Sequence, residues 1–226
     1  MYTLDSKAFE TRKALIDALV EHLQEEFEVG RSYPHGVLLS GGSTPKPVYH
    51  AIARGTVKPA PMLHLAYTDE RHVLKDDPES NYAMTLPMLE ALGLPKTQVL
   101  DVKTELSLEE AAARYHDDIA KFQFRGGKFS LALLGLGADG HTCSLFNDVD
   151  LDRAQGKLAA PIYKDKPPHR ITVSPELLES VEQILFVVAG PDKAEVIKAL
   201  QEDPESMTAG KAVADCKQVA LWYTLS

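Results

Sequence analysis

Cysteine is scarce: Cys143 and Cys216 are the only two, with neither metal-ligand spacing nor the numbers for a disulfide framework. No apolar run approaches the roughly 20 residues needed to cross a bilayer. The opening Met1-Tyr2-Thr3-Leu4-Asp5 lacks the basic and apolar blocks of a secretory signal. These absences make the cytoplasm the expected location. Positive charge is also in deficit. With 24 Lys and Arg against 33 Asp and Glu, the formal net charge is −9, which argues against nucleic acid or an anionic membrane as partner. A small anionic substrate stays compatible if basic residues gather at strand ends. Two catalytic signatures are missing as well, the G-x-S-x-G nucleophile elbow and the G-K-[ST] ending of a Walker loop. No internal repeat, low-complexity tract or linker interrupts the 226 residues, so residues 1-226 are expected to form one domain. No apolar stripe stands out as an interface, so the sequence does not give the oligomeric state; a monomer or weak homodimer is the working expectation.

What is present is an alternation of apolar runs and amphipathic stretches. A helix is predicted from Ser6 to Phe27, capped by Asp5 or Ser6, with Phe9, Leu15, Ile16, Leu19, Leu23 and Phe27 at three- and four-residue steps. A second spans Ser107 to Phe124 and opens on a capping box, Ser107-Leu108-Glu109-Glu110. Its His116 reads as a surface residue. A third opens at Pro78-Glu79-Ser80-Asn81-Tyr82, where Asn81 caps or packs. Short strands are predicted at 36–40, 63–68, 99–102, 129–134, 158–163, 171–174, 184–189 and 219–224. Such alternation implies an α/β fold, a mainly parallel doubly wound (Rossmann-like) sheet with helices on both faces.

The run Phe129–Leu134 is nearly all apolar, as a strand buried on both faces must be. It breaks at Gly135, Gly137 and Gly140, placing Asp139 and His141 on a tight turn at the carboxyl end of a central strand, the edge where open parallel sheets bind ligands. A histidine there can titrate near neutral pH and act as a base. Residues 135–140 also fit G-x-G-x-x-G, but a dinucleotide site requires a long helix next and an acidic residue about 20 positions on. Here Asn147–Asp152 reads as a polar loop after barely one helical turn, so nicotinamide binding is not expected. Cys143, two residues beyond His141, reads as a small residue packing the start of that short helix rather than as a nucleophile.

The strand at 36–40 runs into Gly41-Gly42-Ser43-Thr44-Pro45 and a helix at about 47–53. Two glycines permit close backbone approach, Ser43 or Thr44 can cap, and Pro45 suits the first turn. Converging N–H groups and the helix dipole make such a turn an anion site; the competing reading is an ordinary capped turn. Asp69, Glu70 and Arg71 end the next strand. Asp69 suits orienting a hydroxyl or a base and Arg71 suits a phosphate or carboxylate, unless the three form a surface salt-bridge cluster. Lys193 falls in the first turn of the helix after Gly190-Pro191-Asp192, where a cation opposes the dipole and so hints at a bound anion. Arg170, at the start of a strand, reads as solvated by spacing alone.

Four segments together resemble the 6-phosphogluconolactonases and the wider group that includes glucosamine-6-phosphate deaminase/isomerases. They are Leu39-Ser40-Gly41-Gly42-Ser43-Thr44-Pro45, Asp69-Glu70-Arg71 with Glu79-Ser80-Asn81, Gly135-x-Gly137-x-Asp139-Gly140-His141-Thr142, and Gly190-x-x-Lys193-Ala194. The resemblance covers the chain from the first predicted strand to about Leu200. It implies a fold of the glucosamine-6-phosphate deaminase/ribose-5-phosphate isomerase type. It also implies hydrolysis of 6-phospho-D-glucono-1,5-lactone, a small-molecule sugar-phosphate lactone of the oxidative pentose phosphate pathway, with no metal and no cofactor. Carried over by position, His141 is the general base supported by Asp139, the backbone of Gly42, Ser43 and Thr44 holds the phosphate, and Arg170 and Lys193 are the basic phosphate ligands. Arg71 binds substrate or polarises the oxyanion. The deaminases differ at two positions, with a tyrosine at the place of Arg71 and an acidic residue at that of Phe146. A sugar-phosphate sensor of the kind found in transcription regulators would carry an appended DNA-binding segment, whereas this chain opens directly on the first predicted helix.

Overall fold

The computed structural model describes residues 4–226; Met1–Thr3, where the reading of the leader begins, lie outside the described residues. In chain order the strands are β1 (Leu4–Ala8), β2 (His35–Leu39), β3 (Leu63–Tyr67), β4 (Asp69–Arg71), β5 (Val99–Leu100), β6 (Lys128–Leu134), β7 (Ala159–Ile162), β8 (Arg170–Val173), β9 (Gln183–Ala189) and β10 (Val219–Thr224). The helices are α1 (Arg12–Glu28), α2 (Lys46–Arg54), α3 (Asn81–Leu92), α4 (Leu108–Phe124), α5 (Asp148–Ala154), α6 (Pro175–Glu179), α7 (Ala194–Glu202) and α8 (Thr208–Ala212).

Seven strands form one sheet in the order β1-β10-β9-β6-β2-β3-β5, every pair parallel. Helices cover both faces. Alternate residues of each central strand point into opposite cores, as the two-residue period of a strand requires. Val37, Leu39, Leu131, Leu133, Leu185 and Val187 pack with α1, α2 and α3. Leu38, Ala132, Leu134, Ile184, Phe186 and Val188 pack with helices α4 to α8. That double burial is why these strands read as unbroken apolar runs. From β2 the chain steps outward to β3 and β5, then returns to the other side of β2 with β6, β9 and β10. The crevice between the carboxyl ends of β2 and β6 is therefore the topological switch point, the usual ligand position in such sheets.

Several expectations need correction. The first helix does not begin at Ser6. Leu4–Ala8 is an edge strand paired to β10, and α1 starts at Arg12 behind Thr11, whose side chain accepts from the Ala14 N–H at 3.1 Å. The apolar period belongs to Leu15, Leu19, Leu23 and Phe27; the residues before it are drawn into the sheet by backbone bonds to β10, which leave no mark in the side-chain pattern. The chain thus does not open directly on a helix. Neither Ser43 nor Thr44 caps α2: Pro45 occupies the N-cap position and no side chain accepts there. Asn147–Asp152 is not a loop, because Asn147 caps α5 by accepting from the Asp150 N–H at 3.1 Å, and Asp148 and Asp150 complement the helix dipole in its first turn. No helix starts at Cys143, which lies in a turn with φ 52°. His116 is half-buried, its Nδ1 accepting from the Leu158 N–H at 2.9 Å.

The largest departure is a second, antiparallel sheet, β4-β8-β7, absent from the sequence reading. β5 pairs with β3 only at Leu65 and Ala66, so the main-chain groups of Tyr67 need another partner. The Tyr115 hydroxyl provides it, accepting from Tyr67 N–H at 2.8 Å and donating to Tyr67 O at 2.6 Å. Beyond it Thr68 O accepts from Val173 N–H at 2.9 Å, and the chain crosses into the small sheet.

Candidate active site

A cavity of about 250 Å³ opens at the switch point. Its walls include Gly41, Gly42, Ser43 and Thr44 after β2, Asp69 and Arg71 around β4, Gly137 and His141 after β6, and Lys193 after β9. Eight of the ten predicted site residues thus share one cavity. Asp139 and Arg170 are not among its walls and are treated below.

The turn after β6 is held by its own backbone: Gly137 N–H donates to His141 O at 2.8 Å and Gly140 N–H to Gly137 O at 3.0 Å. Thr142 Oγ1 donates to Gly135 O at 2.8 Å. This folding brings Asp139 Oδ1 to 2.5 Å from His141 Nδ1. A carboxylate at Nδ1 selects the Nδ1–H tautomer and leaves the Nε2 lone pair available; Nε2 has no protein partner among the described residues. Partial burial pushes the Asp139 carboxyl up, but the hydrogen bond and charge of His141 outweigh it and hold it below the usual carboxylate range. Gly137 is required by close packing. A Cβ there would lie 2.1 Å from His141 Nδ1 and 2.3 Å from Asp139 Oδ1.

Asp69, 9% exposed, is fixed from two directions. Ser144 Oγ donates to its Oδ2 at 2.7 Å, and Asn81 Nδ2 donates to its backbone O at 2.8 Å. Glu70 is not part of a surface cluster. Its carboxylate, 2% exposed, accepts from the backbone N–H groups of Arg71, Asn81 and Tyr82 at 2.7–2.8 Å, and so caps α3 and locks Asn81 in place. Burial pushes the Glu70 carboxyl up despite those three donors. Arg71 donates to Glu79 O at 2.5 Å, while its buried Nε has no protein partner among the described residues.

On the opposite wall, Gly42 takes φ 107°, a left-handed conformation that glycine adopts without strain. The N–H groups of Gly42, Ser43 and Thr44 meet no protein acceptor among the described residues, ahead of a helix with no side-chain cap. Tyr49 donates to Ser40 O at 2.8 Å and holds the root of the loop. Arg12 donates to Ser43 O at 2.9 Å and brings a further cation to it. Lys193 Nζ donates to Leu136 O at 3.0 Å, which holds its charge against the histidine turn in the same cavity. Arg170 stands directly across the antiparallel pair from Arg71, with its guanidinium donating to the Pro168 and His169 carbonyls. Burial, then the Arg71 charge, pushes it down. Cys143 lines the cavity, but burial pushes its thiol well above the ordinary range, which suits a packed residue and not a nucleophile.

Sequence reasoning missed Arg12 and Ser144. The first was placed inside a longer helix. The second reaches a carboxylate 75 positions away, a contact no local pattern announces.

Residues 10–222 match the family described as glucosamine-6-phosphate isomerases/6-phosphogluconolactonase, and the chain belongs to that family. A human protein named 6-phosphogluconolactonase is 39% identical over 147 residues, which cover 62% of this chain and 57% of that protein. One of the same name from Synechocystis sp. is 36% identical over 182 residues, covering 76% and 75% of the two chains. The crystal structure of 6-phosphogluconolactonase from Thermotoga maritima superposes with a TM-score of 0.81 at 25% identity, over 99% of this chain and all of that one. Among the described residues no helix is long and apolar enough to cross a membrane.

Proposed function

We propose that this protein hydrolyses 6-phospho-D-glucono-1,5-lactone to 6-phospho-D-gluconate, with His141 as general base. One observation carries the reading: a histidine paired through Nδ1 to Asp139 shares a cavity with a glycine-rich loop of unpaired N–H groups and with Lys193. The arrangement supplies a base at one end and an anion site at the other. Family membership and relatives named for this activity support the assignment.

In this reading His141 Nε2 takes a proton from water as the water oxygen bonds to lactone C1. Asp139 stabilises the resulting imidazolium. The C1–O5 bond then breaks, and O5 receives the proton from His141. Arg71, which lines the cavity, would polarise the oxyanion in this reading. The phosphate sits on the Gly42-Ser43-Thr44 backbone with Lys193, and Arg170 approaches from beside Arg71. Two arginines facing each other across a strand pair repel, an arrangement that a bound anion relieves. A δ-lactone is an activated ester, so a positioned base worth about 10²–10⁴-fold and phosphate anchoring are sufficient without a covalent nucleophile. Asp69, held by Ser144 and Asn81, faces the same space and suits orienting a substrate hydroxyl.

The test generates the lactone in situ from glucose-6-phosphate and follows its loss above the spontaneous rate, with unphosphorylated gluconolactone as control. Fast hydrolysis of the phosphorylated lactone alone is expected, and His141→Ala should lower turnover about 10²–10⁴-fold while still binding 6-phosphogluconate. No acceleration, with ammonia released from glucosamine-6-phosphate instead, would replace lactone hydrolysis by deamination. Full activity in His141→Ala would remove the base assignment.

A further inference from the structure

The hydrogen bond to Asp139 and the close approach of Gly137 both restrain the His141 ring on its Nδ1 side. A further restraint can come from packing on a ring face. Phe146 provides it, with ring centroids 4.6 Å apart and planes tilted by 45°. Lys164 Nζ lies 3.4 Å from the centroid of the same phenyl ring, close enough to rest against its π face. Lys164 lies in the segment joining β7 to β8, and its own N–H donates to His169 Nδ1 at 3.1 Å. Phe146 and Lys164 are half-buried, and the phenyl ring belongs to neither hydrophobic core. This aromatic side chain thus lies outside both cores, set against the histidine and met by an ammonium.

We propose that Phe146 is a positioning residue for His141, and that Lys164 clamps Phe146 so that the β7–β8 segment is coupled to the base. The inference rests on the reading of His141 as that base. Phe146→Leu should lower kcat about three- to tenfold, the size of an aromatic-pair contribution, with KM for the phosphorylated lactone little changed. Phe146→Tyr keeps the ring and should recover most of the loss. Lys164→Met should lower kcat about twofold and add nothing once Phe146 is leucine.

The decisive measurement is a double-mutant cycle with His141→Ala, because a residue that acts through His141 loses its effect when the imidazole is gone. Phe146→Leu should therefore leave the residual rate of His141→Ala unchanged. The same loss in both backgrounds would overturn the proposal. A Lys164→Met effect confined to KM for the phosphorylated lactone would make Lys164 a phosphate ligand and overturn the clamp. The His141 ring-proton resonances give a readout independent of turnover. They should shift when Phe146 becomes leucine, and unchanged resonances would refute the packing even if His141→Ala is inactive. Full activity in His141→Ala would instead defeat the base assignment, and the positioning role with it.

Discussion

Replacing Gly137 with alanine should disable the site while sparing the fold. The residue does not occupy the left-handed region, so its backbone conformation is open to alanine. The obstacle is local. The new methyl would stand 2.1 Å from His141 Nδ1 and 2.3 Å from Asp139 Oδ1, against an ordinary contact of at least 3.4 Å. The pair must retreat by roughly 1 Å, and a misplacement of that size can cost about a hundredfold in rate, or about 2.7 kcal/mol of transition-state stabilisation. The assay is kcat and KM for the lactone, with thermal melting and calorimetric binding of 6-phosphogluconate alongside. The expected result is a fall in kcat with KM, product affinity and melting temperature nearly unchanged. Gly140→Ala supplies the contrast: φ there is 80° and a Cβ would lie 2.9 Å from Met207 Cβ, so its main effect should be on stability. Wild-type kcat in Gly137→Ala would refute the claim that the Asp139–His141 geometry drives the reaction.

Three further outcomes follow from the geometry. Glu70→Ala removes the acceptor of three backbone N–H groups, and should cost about 3 kcal/mol or more, read as a lower urea midpoint; Glu70→Gln should cost less. Lys193→Ala and Arg170→Ala should mainly raise KM, Lys193 more strongly because only it lines the cavity, and an unchanged KM in both would place the phosphate elsewhere. His35 is fully buried, and burial together with the nearby Arg31 charge pushes its imidazole below the ordinary value, though Glu26 raises it. The unfolded chain then binds the extra proton first, so stability should fall as pH drops below about 6.5 and on through the folded-state value, by at most about 1.4 kcal/mol per pH unit for this group. Urea titrations across that range should show a shallower dependence in His35→Leu.

The parallel sheet was legible because its central strands are buried on both faces and so appear as unbroken apolar runs. The capping box of α4 was legible for a similarly local reason: Ser107 and Glu110 satisfy each other within one turn. The edge strand β1 was not, since four of its five residues are exposed and only backbone bonds hold it to β10. The helix α5 was hidden by its charge, because three aspartates in seven residues resemble a loop until Asn147 is seen to cap them.

By itself the sequence determined where the glycine turns fall, and hence that Asp139, His141 and the Gly42–Thr44 loop lie at strand ends. Those features depend on periodicity and on backbone freedom, which neighbouring residues settle among themselves. Only the tertiary structure decided which strand ends meet. The return of the chain from β5 to β6 sets the histidine turn beside the loop after β2, and the small antiparallel sheet carries Arg170 across from Arg71. Ser144 on Asp69, Arg12 on Ser43 and Lys164 on Phe146 likewise exist only because distant segments are packed together. The physical reason is that such contacts depend on the spatial order of the strands, which no local run of residues encodes.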